Sequence, residues 1–72
     1  SNNQPLLRLI QSTNVTLSGY QSTKPVTNFI SLEGEKCSDI KLMGNDLTHV
    51  KNVTELKHEC KSSAVRELNN LR

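Results

Sequence analysis

The sequence predicts a mainly β fold in which short strands stack coil upon coil. Three observations predict it. Thr13-Asn14-Val15-Thr16-Leu17-Ser18-Gly19 returns 25 positions later as Ser38-Asp39-Ile40-Lys41-Leu42-Met43-Gly44, with matching chemistry at nearly every place. Leu7-Arg8-Leu9 returns 23 positions later as Ile30-Ser31-Leu32. Apolar and polar residues alternate within each stretch, the period of a half-buried strand, and polar Asn, Asp and Gly corners interrupt them. A repeat of this length marks a stacked architecture, in which each unit buries its interior only against its neighbours.

In order, Pro5 introduces a first strand, Leu6-Leu7-Arg8-Leu9-Ile10. Gln11-Ser12-Thr13-Asn14 is a polar turn, and Val15 and Leu17 point inward on a second strand that ends at Gly19. Gln21-Ser22-Thr23-Lys24-Pro25 is a loop before a strand centred on Phe29-Ile30-Ser31-Leu32. Glu33-Gly34-Glu35-Lys36 is a turn longer than its counterpart, which lengthens the later offset. Ile40 and Leu42 repeat Val15 and Leu17, and Leu47 and Val50 continue a short segment. Val53-Thr54-Glu55-Leu56 matches Val26-Thr27-Asn28-Phe29 at an offset of 27, and Cys60 matches Cys37 at 23. Ala64, Leu68 and Leu71 then recur at helical spacing, with Ser62 or Ser63 as a cap, so the end reads as a short helix or an irregular cap. Residues 5–52 are thus two coils of a single unit spanning 1–72, and residues 53–72 are a partial third coil and its cap.

Stacked strands lie about 4.8 Å apart. Val15 is therefore expected against Ile40, Leu17 against Leu42, and Leu7 against Ile30. The expected core is Leu7, Leu9, Val15, Leu17, Ile30, Leu32, Ile40 and Leu42. Aspartate at Leu17 or Leu42 should abolish folding, whereas Glu35→Gln should change nothing measurable. The competing architecture is a small antiparallel sheet of hairpins with a C-terminal helix.

The chain has 72 residues, of which 33% are hydrophobic, enough for one small domain with a marginal core. A net charge of +2, with Tyr20 and Phe29 as the aromatic residues, argues against nucleic acid. No apolar run reaches the roughly 18–20 residues of a membrane span. The chain opens on Ser1 rather than Met, as expected of a piece of a longer product. Asn14-Val15-Thr16 and Asn52-Val53-Thr54 fit the N-glycosylation acceptor pattern, which bears on function only in a secreted eukaryotic protein.

The Asn14-Val15-Thr16-Leu17-Ser18-Gly19 strand and its echo resemble right-handed parallel β-helix proteins of the pectin-lyase-like superfamily. Gly44-Asn45-Asp46-Leu47 with Val50-Lys51-Asn52-Val53 is similar to the last coil of bacterial glycoside-hydrolase-like members. The resemblance covers residues 5–60. It implies the terminal coils of a secreted or periplasmic parent, a glycoside hydrolase or polysaccharide lyase acting on uronic-acid-rich polysaccharide. The Asn-Thr-Asp, Asp-Asp, Gly-His-Gly and Arg-Ile-Lys segments of polygalacturonase-type members are missing here. The resemblance therefore implies a capping segment, downstream of the active-site coils, with no catalytic residue and no cofactor of its own.

Residue by residue, the candidate chemistry is sparse. Glycoside hydrolysis needs two facing carboxyl groups. Glu33 and Glu35 share a turn and Asp39 and Asp46 flank a strand, but none has a visible partner to tune its pKa. Cys37, His49, His58 and Cys60 are metal-ligand types without the paired spacings of zinc sites. A nucleophilic cysteine needs a nearby base, for which His49 and His58 are the candidates. On stacked coils Cys37 and Cys60 become neighbours, joined as a disulfide or stacked as buried thiols. Lys51, Lys57, Lys61, Arg66 and Arg72 alternate with Glu55, Glu59 and Glu67, the pattern of a solvated face, with an acidic glycan as the functional alternative.

The expected role is to complete and cap the stack, with the rest of the chain or self-association as partner, polysaccharide as a ligand of the parent, and neither nucleic acid nor membrane. The alternative is a small autonomous secreted interaction module held by a Cys37–Cys60 bridge.

Overall fold

The computed structural model describes residues 4–21 and 23–72. The loop position Ser22 lies outside the described residues. Six strands follow in order: β1 Leu7–Ile10, β2 Thr13–Ser18, β3 Val26–Glu33, β4 Ser38–Met43, β5 Val50–Lys57 and β6 Val65–Leu68. They form two three-stranded sheets, β1-β3-β5 and β2-β4-β6. Every pairing is parallel. The antiparallel alternative is thereby overturned, because each strand pairs with the one two places on rather than with its neighbour in the chain.

The columns expected from the repeats are present. Leu7 registers with Ile30, Val15 with Ile40 and Leu17 with Leu42. The molecule measures 32 × 29 × 14 Å. Its thin dimension fits three strands stacked about 4.8 Å apart. Each layer contributes one strand to each sheet: β1 with β2, β3 with β4, and β5 with β6.

Several expectations are corrected. Among the described residues the strands fall into two separate sheets, joined by no strand pairing into a closed tube. The parallel β-helix of the pectin-lyase-like superfamily is therefore not the fold found. The C-terminal helix or irregular cap is also replaced. Ser62–Ala64 forms a single 3₁₀ turn, and Val65–Leu68 is a strand registered on Ile40–Met43. An isolated short helix is marginal in water, and the free edge of β4 offers that segment a ladder of backbone hydrogen bonds instead. The match of Val53–Leu56 to Val26–Phe29 is out of register. Val26 pairs with Val50 and Ile30 with Thr54, an offset of 24.

The core sits in the middle layer. Ile30, Leu32, Ile40 and Leu42 are fully buried, joined by Phe29, Cys37, Leu47, Val53, Cys60 and Ala64. Leu9, Val15 and Leu17 are half-buried beside them. Leu7, expected inside, is 38% exposed because it lies on the outer layer with a neighbour on one side alone.

The corners repeat as faithfully as the strands. Gly19, Gly44 and Asn69 all take left-handed φ, at 75°, 64° and 57°. So do Gln11, Gly34 and His58, at 49°, 104° and 54°. Gly34 is where glycine is required most. A Cβ there would come within 2.3 Å of the Gln11 Oε1 atom. That oxygen already accepts a hydrogen bond from the Lys36 N–H at 2.9 Å, so it has a reason to stay.

Candidate functional site

Two polar columns and two open edges are the features with chemical content. The first column ends β3. Glu33 is nearly buried, yet both carboxylate oxygens are occupied. Arg8 Nε donates to Oε2 at 2.8 Å and Arg8 Nη2 to Oε1 at 3.2 Å, a two-pronged grip from β1. Ser31 Oγ donates to Oε2 at 3.1 Å, and His58 Nε2 stands 3.7 Å from Oε1. The Arg8 hydrogen bond holds the Glu33 carboxyl at about 2, against the opposing pull of burial, with Ser31, the Arg8 charge and Lys57 helping. Glu33 is thus a fastener between layers, not half of an acid–base pair.

This predicts an acid dependence. The folded pKa lies below the ordinary value of 4.5, so the Arg8–Glu33 contribution is complete above that value and is lost as pH falls towards 2. Thermal melts across that window should show Tm falling more steeply for the parent chain than for Glu33→Gln, which lacks the titrating group. Equal slopes would show that Glu33 does not couple to folding.

The second column was not singled out in the sequence. Asn45 is 1% exposed and uses its whole side chain. Its Oδ1 accepts from the Tyr20 N–H at 3.0 Å, and its Nδ2 donates to the Leu17 carbonyl at 3.0 Å and to Asn70 Oδ1 at 3.1 Å. Asn70 repeats the pattern one layer on. Its Oδ1 accepts from the Asn45 N–H at 2.8 Å, and its Nδ2 donates to the Leu42 carbonyl at 2.9 Å. The signal was legible, since Gly44-Asn45 and Asn69-Asn70 stand 25 positions apart behind equivalent left-handed corners. Asn28 and Asn52 form a simpler exposed pair, Nδ2 to Oδ1 at 3.1 Å.

The remaining candidates are dispersed. Asp39 faces Lys41 at 3.3 Å. Asp46 accepts from the Thr48 hydroxyl at 2.7 Å and its N–H at 3.1 Å, bonds that hold its carboxyl below the usual range. Glu35 is exposed on the turn. His49 is exposed at the corner before β5, away from the His58 contact to Glu33. Among the described residues no three His, Cys, Asp or Glu side chains gather as a metal site. Lys57 faces Glu55 at 3.6 Å, and Arg72 pairs with Glu67, as the mixed-charge pattern suggested.

Cys37 and Cys60 are both buried free thiols. They end stacked turns, in which the Gly34 N–H donates to the Lys57 carbonyl at 3.0 Å. Cys37 Sγ donates to the Glu33 carbonyl at 3.2 Å. Burial pushes the Cys60 thiol up, and the adjacent Cys37 adds to this by charge and hydrogen bond. A thiol rather than a thiolate is a poor nucleophile. Iodoacetamide should therefore label Cys60 much more slowly in the folded chain than after unfolding in urea, as read by mass spectrometry. Equal rates would show that the site is open.

The open edges belong to the outer layers. Among the described strands, β1 and β2 end the two sheets on one side, and β5 and β6 end them on the other. Leu6, Leu7 and Ile10 are exposed near the first edge, and Leu56, Leu68 and Leu71 near the second. The buried Thr54 Oγ1, on β5, has no hydrogen-bond partner within the described residues.

No protein-family model matches this chain, and neither a curated protein nor a solved structure does. With the closed tube already gone, the pectin-lyase-like resemblance has nothing to rest on. The carbohydrate-active parent and the secreted character that it implied lose their support with it.

Proposed function

We propose that this chain is a structural module whose work is to extend a stack of parallel strands. Its open edges would take up like strands from the rest of its protein or from another copy. The observation that carries this reading is the gradient of burial across the layers. Ile30, Leu32, Ile40 and Leu42 in the middle layer are fully buried, whereas their column neighbours on the outer layers, Leu7, Leu9, Val15, Leu17 and Leu56, stay partly exposed. Unpaired strand edges with apolar rims are templates for further strands. The closing role expected from the sequence is a narrower form of this reading. Leu56, exposed although it stacks on the fully buried Leu32, favours a third layer that is itself continued.

Amide hydrogen exchange tests it. A peptide of residues 26–43, which supplies β3 and β4, should slow exchange in β1 and β2 or in β5 and β6 when added in excess. Unchanged exchange at all four strands would overturn the proposal. The stacked turns that end in Cys37 and Cys60 support a second reading, an autonomous module in which these thiols, free here, are joined as a disulfide. A mass gain of two hydrogens on reduction of the isolated chain would favour that reading.

A further inference from the structure

We infer that the partner at these edges is a second copy of the chain, added head to tail, with β5 and β6 of one copy pairing with β1 and β2 of the next. This inference rests on the stacking role proposed above and names its partner. The argument is one of register. Within one copy, Leu9, Leu32 and Leu56 form a column, as do Val15, Ile40 and Val65. Continuing those registers by one step places Leu56 against the next copy's Leu9 and Val65 against its Val15, so both aliphatic columns run on unbroken.

Charge points the same way. Arg8, Ser31 and Glu55 share a column, so the next step sets Glu55, which among the described residues of its own copy has only the 3.6 Å contact to half-exposed Lys57, beside the Arg8 of the following copy. Arg8 is still 55% exposed after gripping Glu33, and its planar fork has donors to spare. The same step sets Glu67 over the next copy's Leu17, a carboxylate on an aliphatic column, with its charge held by Arg72. A like-on-like join would turn β5 against another β5 and lose the Glu55–Arg8 pairing. Joins between unlike edges give rings where the rotation per copy closes and open stacks where it does not; copies added along a single strand-stacking axis give the open stack.

The test uses two variants, each blocking one edge. Glu55→Lys sets a cation against the next copy's Arg8. Ile10→Lys does the same at the other edge, because Ile10, Glu33 and Lys57 form a column whose next step joins Lys57 to Ile10. Ile10 is 56% exposed, so its replacement should leave the fold intact, as circular dichroism would verify. Should either variant unfold, Leu56→Lys or Leu7→Lys blocks the same edge at a position 38% exposed.

In analytical ultracentrifugation the parent chain should form species that grow with concentration, and each variant alone should be monomeric. An equal mixture of the two should double the mass and go no further, since one intact edge remains on each. A variant that still dimerises alone shows like-on-like pairing and overturns the inference. A parent chain that stays monomeric overturns it too. If that monomer nevertheless takes up the 26–43 peptide, the stacking role survives without self-assembly; if it does not, both fall.

Discussion

Leu42→Asp is expected to leave the chain unfolded. Leu42 is completely buried in the middle layer, stacked on Leu17 and surrounded by Ile40, Leu32 and Leu47 in one core. Removing its burial forfeits about 1.5–3 kcal/mol. The aspartate must then either ionise in an apolar site or take up a proton, at a further penalty of several kcal/mol. A chain of 72 residues has a total stability of only about 4–11 kcal/mol, at about 0.05–0.15 kcal/mol per residue. Circular dichroism should show the strand signal lost at neutral pH. Leu17→Asp, in the half-buried outer layer, should be milder, with a lowered Tm rather than complete loss. Glu35→Gln, on the exposed turn, should melt with the parent. If Leu42→Asp melts with the parent too, the middle layer is not the core.

Asn45→Leu has the second largest expected effect, although it makes the interior more apolar. Leucine shares asparagine's branched skeleton but ends in bulkier methyl groups, so overpacking adds to the cost of the lost hydrogen bonds. The change strands the Tyr20 N–H and the Leu17 carbonyl and takes a donor from Asn70 Oδ1. Each buried polar group left without a partner costs about 1–3 kcal/mol. A loss of about 3–5 kcal/mol follows for the network, as chemical denaturation would measure. Asn70→Leu should cost less, because Asn70 lies on the less buried outer layer. Equal costs for the two variants would show that depth in the stack does not matter. A negligible cost for Asn45→Leu would show that the column fills space without holding the layers.

The columns were legible because parallel stacking puts like over like. Val15 over Ile40 and Leu17 over Leu42 follow from an offset that the eye can count. Asn45 is hard to recognise as a core residue because a Gly-Asn pair reads locally as a turn. Its second meaning, a side chain serving the layers before and after it, depends on contacts 25 and 28 positions away. Glu33 conceals its role for the same reason. Beside Glu35 it reads as a turn acid without a visible partner, and only the arrival of Arg8 from 25 positions earlier makes it a buried carboxylate held by a half-exposed guanidinium.

The end of the chain shows the opposite failure. Ala64, Leu68 and Leu71 have helical spacing, but spacing describes what a segment would do alone. Beside β4, with Ile40 waiting for Val65 and Met43 for Leu68, the segment extends into a strand. A family likeness carried by the same alternation was equally unspecific, since any parallel stack of short strands produces it.

By itself the sequence determined the 23- and 25-residue repeats, the first four strands and the columns of Leu7 with Ile30, Val15 with Ile40 and Leu17 with Leu42, because each is set by local chemistry recurring at a counted interval. Only the tertiary structure decided that the described strands form two sheets without closing a tube, that the last segment is a strand, and that no described strand covers either outer layer. Those outcomes depend on which edges find partners in space, and no interval along the chain encodes that.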